Sequence, residues 1–256
     1  MSEPATSTVN VSNRTAVVIG GTSGIGRAIA LAFADDGADV VATSRSEEAV
    51  EETADELHSR GAATTTVACD VREMASIERL YETVTDEVGE VDVLVNSAGS
   101  VVKEPITSMA MSDWELDIDT NLTGVFRACQ VFGREMNRGS IVNISSMSAG
   151  QAREDRPAYC AAKSGVNGLT RAAAADLAPE VRVNAIEPGF VDTLLAGDAF
   201  AEGTELRETI DAATPMEQVA APEDIAGAAV YLASDAASFT TGDIITVDGG
   251  YDDSAL

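Results

Sequence analysis

A chain of 256 residues with 45% hydrophobic side chains can bury a sizeable core, so it is a folded globular protein of one large α/β domain or two small ones. Its 43 acidic residues against 16 Lys and Arg leave a net charge of −27, which argues against nucleic acid and anionic membrane surfaces as partners, since both need a basic face. Only two residues, Lys103 and Lys163, are lysines, a balance that suits a salt-rich cytoplasm where the Debye length falls to ~3 Å at 1 M salt. Cys69, Cys129 and Cys160 form no CxxC, and His58 is the sole histidine, so no metal site and no Ser-His-Asp arrangement is expected. The opening "MSEPATSTVNVSN" has neither a basic region nor an apolar run, and no stretch reaches ~18 apolar residues. A cytoplasmic protein with a flexible segment at 1–12 and a single domain over 13–256 is expected.

In chain order, strand-like apolar runs fall at 15–20, 39–43, 64–69, 91–96, 139–145, 181–186 and 243–248. Helical periodicity falls between them, at 24–36, 46–60, 73–89, 112–138, 158–178 and 222–234. Strands alternating with helices of this length predict βαβ units and a parallel sheet covered on both faces. The rhythm breaks at 190–221, a long mixed stretch after a strand end, where a lid over a ligand or an ordinary helical connection would sit.

The first strand runs straight into "GGTSGIG", with glycines at 20, 24 and 26, and then into a helix. Gly20 permits a tight turn, Gly24 and Gly26 allow close approach, and the helix start presents N–H groups to phosphates. A glycine-rich turn between a first strand and a first helix predicts a dinucleotide site. At the end of the second strand, Ser44 stands where an acid would hold ribose hydroxyls, and Arg45 follows. A guanidinium without that acid suits a 2′-phosphate, which favours NADP(H); NAD(H) is the alternative if Arg45 pairs with Glu47 or Glu48. Further along, Tyr159 and Lys163 in "YCAAK" lie four apart, on one helix face, where an ammonium would favour a phenolate.

With "ACDV" (68–71), "VNSAG" (95–99), "TNLTG" (120–124), "IVNISS" (141–146), "VRVNAIEPGFVDT" (181–193) and "TGDIITVDGG" (241–250), the chain resembles the short-chain dehydrogenase/reductase family over essentially its whole length. The resemblance implies one Rossmann-like α/β domain, doubly wound around a seven-stranded parallel sheet. It makes Tyr159 the acid/base and Lys163 its partner, which also holds the nicotinamide ribose. Ser146 would bond the substrate oxygen, with Ser145 as the fallback, and Asn121 would hold a water in the proton relay. Thr22, Ser23 and Ile25 belong to the same phosphate turn. Asp70 and Val71 would meet the adenine, Asn96, Ala98 and Gly99 would line the cofactor cleft, and Pro188, Gly189, Val191 and Thr193 would cradle the carboxamide. Ile19, Ser97 and Glu187 depart from the family's usual residues. The implied reaction moves a hydride between nicotinamide and a secondary alcohol or ketone. A sugar-derived or hydroxy-acid substrate is expected, with Arg153 and Arg156 either meeting a carboxylate or pairing with Glu154 and Asp155. The alternatives are a 3-oxoacyl-thioester reductase and, more remotely, a non-catalytic dinucleotide sensor. A homotetramer through 112–138, 158–178 and the C-terminal strand is implied by the resemblance alone.

Overall fold

A computed structural model describes residues 8–193, 200 and 203–252. Six parallel strands form one sheet: β1 (Thr15–Ile19), β2 (Asp39–Thr43), β3 (Val93–Asn96), β4 (Gly139–Ile144), β5 (Val181–Pro188) and β6 (Ile244–Val247), in the order β2-β1-β3-β4-β5-β6. Helices α1 (Gly24–Asp35), α2 (Glu47–Ser59), α3 (Met74–Glu87), α4 (Met111–Ile118), α5 (Gly124–Glu135), α6 (Pro157–Leu177), α7 (Glu205–Ala213) and α8 (Glu223–Ala233) surround it. The central strands are buried on both faces because helices cover both. In β1, Ala16 and Val18 pack with Ile29 and Phe33 of α1 and Leu232 of α8. Val17 and Ile19 pack on the opposite side with Ile77 and Leu80 of α3 and Phe132 of α5.

The expected seventh strand is missing from the ladder. Residues 64–69 run beside the edge strand β2, but only Val40 N–H to Ala63 O and Cys69 N–H to Ser44 O span the two by backbone. Side chains supply the rest: Thr43 Oγ1 donates to Val67 O, and Asp39 Oδ1 accepts from Ala63 N–H at 2.8 Å. Side chains of β2 thus replace part of the ladder along this edge, where no continuous pairing forms. Among the described residues no helix is long and apolar enough to cross a membrane. Val11 is fully buried and its N–H donates to Asp36 Oδ2 at 2.7 Å, while residues 1–7 lie outside the described set.

The helical span 111–135 is not uniform. Asp119–Thr123 forms a single π-turn between α4 and α5, with Asn121 at its centre. Such a widened turn inside an α-helix commonly marks a functional position. Strand order reverses between β1, which leads outward to β2, and β3, which leads to β4. The crevice at their carboxyl ends is where an open α/β sheet takes its ligand.

Candidate active site

A cleft of about 620 Å³ opens at that crevice. Its floor is the turn after β1. Gly20 has φ +79, and a Cβ there would lie 2.5 Å from Ala98 N; Gly24 has φ +49 and faces Thr193. A Cβ on Gly26 would lie 2.1 Å from Gly20 O. Gly26 therefore closes the turn from beneath and does not line the cleft, whereas Gly20, Thr22, Ser23, Gly24 and Ile25 do. The N-cap Ser23 makes no side-chain cap bond, and no acid occupies the first turn of α1. Helix N–H groups without a partner among the described residues thus face the cleft, the arrangement a pyrophosphate needs. The residues present therefore fit a nicotinamide dinucleotide.

Ser44, Arg45, Asp70 and Val71 line one end of the cleft. Arg72, which sequence reasoning missed, lines it too and grips the Asp70 carboxylate through Nε at 3.0 Å and Nη2 at 2.6 Å. That bond holds the Asp70 carboxyl below its usual range, aided more weakly by the charge of Arg45. Arg45 forms no ion pair with Glu47 or Glu48 among the described residues. Ala98, Gly99, Pro188, Gly189, Val191 and Thr193 line the middle. Asn96 does not. Its side chain is 4% exposed, beneath the floor, and Nδ2 donates to Asn143 Oδ1 at 2.9 Å across neighbouring strands. The asparagine was placed one layer too high because its strand position alternates away from the ligand face.

At the far end, three consecutive residues at the end of β4 meet one stripe of α6. Lys163 Nζ donates to Ile144 O at 2.8 Å, and Ser145 Oγ donates to Asn167 Oδ1 at 2.7 Å. Ser146 stands beside the Tyr159 phenol and draws its pKa down, while Ser146 Oγ accepts from Ser148 N–H at 3.1 Å. Ser145 is thus committed elsewhere, and Ser146 is the serine beside the phenol. Lys163 is 4% exposed, with Nζ 5.6 Å from the Tyr159 ring centroid. Burial pushes its ammonium down to about 8. Burial also holds the half-buried phenol above its ordinary range; Ser146 and the Arg156 charge pull it down but do not prevail. The Lys163 ammonium is turned to the Ile144 carbonyl and is itself disfavoured by burial, so it is not among the groups that lower the phenol.

Asn121 is fully buried, and its amide is spent internally. Nδ2 donates to Ser100 O and to Asp117 O, each at 2.8 Å, and Oδ1 accepts from Ser100 N–H at 3.3 Å. Asn121 thus borders the cleft at the π-turn, with its side chain committed to Ser100 and Asp117.

The walls beyond Ser146 combine apolar and cationic groups. Arg153 does not pair with Glu154 or Asp155. Its guanidinium lies 4.9 Å from the Phe190 ring centroid and 5.8 Å from that of Tyr251, and Nη2 donates to Gln151 Oε1 at 2.8 Å. Phe190 in turn meets Phe200 edge-on at 5.5 Å. Lys103 and Arg156 line the same end. Among the described residues, six cations line the cleft against one acid, Asp70.

The sequence profile described as enoyl-(acyl carrier protein) reductase matches residues 20–252. D-Threitol dehydrogenase of Mycolicibacterium smegmatis is 39% identical over 244 residues, covering 93% of this chain and 92% of that protein. The chain belongs to the short-chain dehydrogenase/reductase family. Cis-4-hydroxycyclohexanecarboxylate dehydrogenase of Sinomonas cyclohexanicum is 40% identical, covering 93% of this chain and 96% of that one. Among solved structures, a gluconate 5-dehydrogenase from Burkholderia cenocepacia in complex with NADP and tartrate superposes with a TM-score of 0.91 at 31% identity, covering 96% and 98% of the two chains.

The protein is thus an NAD(P)-dependent oxidoreductase on the family's Rossmann-like scaffold. Two departures from the family's usual residues acquire a place in this member. The Ser97 hydroxyl would lie 3.0 Å from a Cβ at Gly26, filling the space below the turn. Glu187 is no loose charge, since its Oε1 accepts from Asn167 Nδ2 at 2.6 Å.

Proposed function

We propose that this enzyme uses NADP(H) in preference to NAD(H) to interconvert the secondary alcohol and ketone of a hydroxy acid. The observation that carries the substrate class is Arg153. It is held between aromatic rings at the cleft wall, with Nε and Nη1 lacking a hydrogen-bond partner among the described residues. A pre-positioned guanidinium without an acid suits a carboxylate. Arg156, Lys103 and the scarcity of acid on the lining support the same class. So do relatives named for a hydroxycyclohexanecarboxylate and for gluconate. Arg45, with serine rather than an acid at position 44, supports the phosphorylated cofactor, as does the NADP bound by the gluconate dehydrogenase.

A bound dinucleotide would supply or take the hydride, and its oxidised form would bring a positive charge into the cleft that Tyr159 lines. Tyr159 exchanges the proton of the carbinol oxygen, Ser146 bonds that oxygen, and Lys163, anchored on Ile144 O, holds the ribose. The segment 190–221 covers this end through Phe190, Phe200 and Leu206; its residues 194–199 and 201–202 lie outside the described set. The test is a matched panel of hydroxy acids, sugar acids, polyols, neutral alcohols and 3-oxoacyl thioesters, run with both cofactors on wild type and Tyr159→Phe. Turnover of hydroxy acids with NADP, reduced ~10²–10⁴-fold in Tyr159→Phe with cofactor binding retained, is expected. Preference for a 3-oxoacyl thioester would overturn the substrate class, and an active Tyr159→Phe would overturn the site. Tight cofactor binding without turnover of any compound would make the protein a dinucleotide sensor.

A further inference from the structure

Tyr159, Lys163 and Asn167 stand at i, i+4 and i+8 of α6, so they form one stripe along the helix. The end of β4 answers the stripe with two hydrogen bonds, Lys163 Nζ to Ile144 O at 2.8 Å and Ser145 Oγ to Asn167 Oδ1 at 2.7 Å, and sets Ser146 beside Tyr159. Ser145 Oγ also lies 3.4 Å from Lys163 O, in the same turn of the helix. Asn167 then passes the contact on, with Nδ2 donating to Glu187 Oε1 at 2.6 Å. Glu187 directly precedes Pro188 and Gly189, which line the cleft, and is held in β5 opposite Thr246. Lys163 and Asn167 are thus each bonded to the end of β4, and the Ser145–Asn167–Glu187 bonds continue to the end of β5, next to the cleft-lining Pro188 and Gly189.

We propose that Asn167 and Glu187 are positioning residues, a polar brace that fixes the register of α6 against the ends of β4 and β5 and so keeps Tyr159, Lys163 and the 188–193 loop in mutual alignment. The proposal rests on the assignment of Tyr159 and Lys163 above. Its physical basis is the steep dependence of rate on alignment, where a displacement near 1 Å can cost ~10²-fold. The carboxylate strengthens the brace, because a hydrogen bond to an ionised acceptor is about twice as strong as a neutral one. Neither residue lines the cleft, so neither touches the reactants.

The experiment compares Asn167→Ala, Glu187→Ala, the double variant and Glu187→Gln, each with steady-state kinetics, dinucleotide titration and a melting curve. Each alanine variant should lose kcat by about tenfold, with the dinucleotide Kd within about twofold of wild type. The double variant should resemble the singles because the two act as one unit. Glu187→Gln, which keeps an amide oxygen for Asn167, should recover most of kcat. Unchanged kcat in either alanine variant would overturn the brace, as would losses that multiply in the double variant. So would losses fully matched by a fall in the folded fraction at the assay temperature. If Tyr159→Phe retains turnover, the underlying site assignment fails; if it is inactive while the brace variants are normal, only the brace fails.

Discussion

Lys163 should be expensive for the folded protein, and replacing it should show how much. Its side chain is 4% exposed, its Nζ has one hydrogen bond at 2.8 Å to Ile144 O, and burial lowers its pKa from 10.5 to about 8. A depression of that size corresponds to about 3 kcal/mol of unfavourable burial while the unfolded chain holds the same lysine protonated. Lys163→Met, close in volume and without the charge, removes that penalty but leaves Ile144 O without its donor, a loss of about 1 kcal/mol. The cofactor-free variant should therefore be more stable by about 2 kcal/mol at pH 7, raising Tm by roughly 4–8 °C for a chain of this size. The gain must depend on pH. Between about 8 and 10.5 the folded wild type has released the proton and the unfolded chain has not, so wild-type stability rises with pH. The advantage of the variant is full below about pH 8 and shrinks towards pH 10.5. Melting curves of both proteins at pH 7 and pH 10, with turnover measured in parallel, test this. Turnover should collapse as stability rises, the expected trade where a strained group serves the reaction. A variant less stable at pH 7, or a gain unchanged at pH 10, would refute the reasoning.

Arg45→Glu should reverse the cofactor preference, raising the KM for NADP by at least tenfold while leaving that for NAD within severalfold, because a carboxylate at the end of β2 repels a 2′-phosphate and bonds ribose hydroxyls. Arg153→Leu should raise the KM for hydroxy acids by ~10–100-fold, the value of a charge-assisted bond to the carboxylate, and so flatten the ratio between a hydroxy acid and its neutral alcohol analogue. The net charge of −27 leads to one more expectation: Tm should climb from dilute buffer to molar KCl as repulsion is screened, and an unchanged Tm would count against a salt-adapted surface.

The fold was legible because periodicity reports burial, and burial here is regular. Runs such as "TAVVIG" and "VDVLVN" are apolar on both faces since helices cover both, and the six helical patterns read from spacing match observed helices to within a few residues. Residues 64–69 misled because an apolar, β-branched run says nothing about whether its neighbour completes a ladder, and this one lies at the sheet edge. Asn96 misled because a motif supplies positions but not the direction in which each side chain leaves the strand. The pKa of Tyr159 misled for another reason: i, i+4 spacing brings a lysine near, yet desolvation depends on everything else packed around the pair. The arginines show the reverse case. Read along the chain, Arg153 and Arg156 stand among acids and look like members of a solvated loop. In space the 147–156 segment folds its guanidinium groups onto Phe190 and the cleft wall and leaves the acids outside. Both lysines of the chain also line that cleft. An acidic shell around a cationic well repels anions at long range and admits them only where the well is exposed. In a salt-rich medium the long-range part is screened, while the desolvated contacts within the cleft keep their strength. On that account the cation placement, not the net charge, decides which small molecules this enzyme can hold.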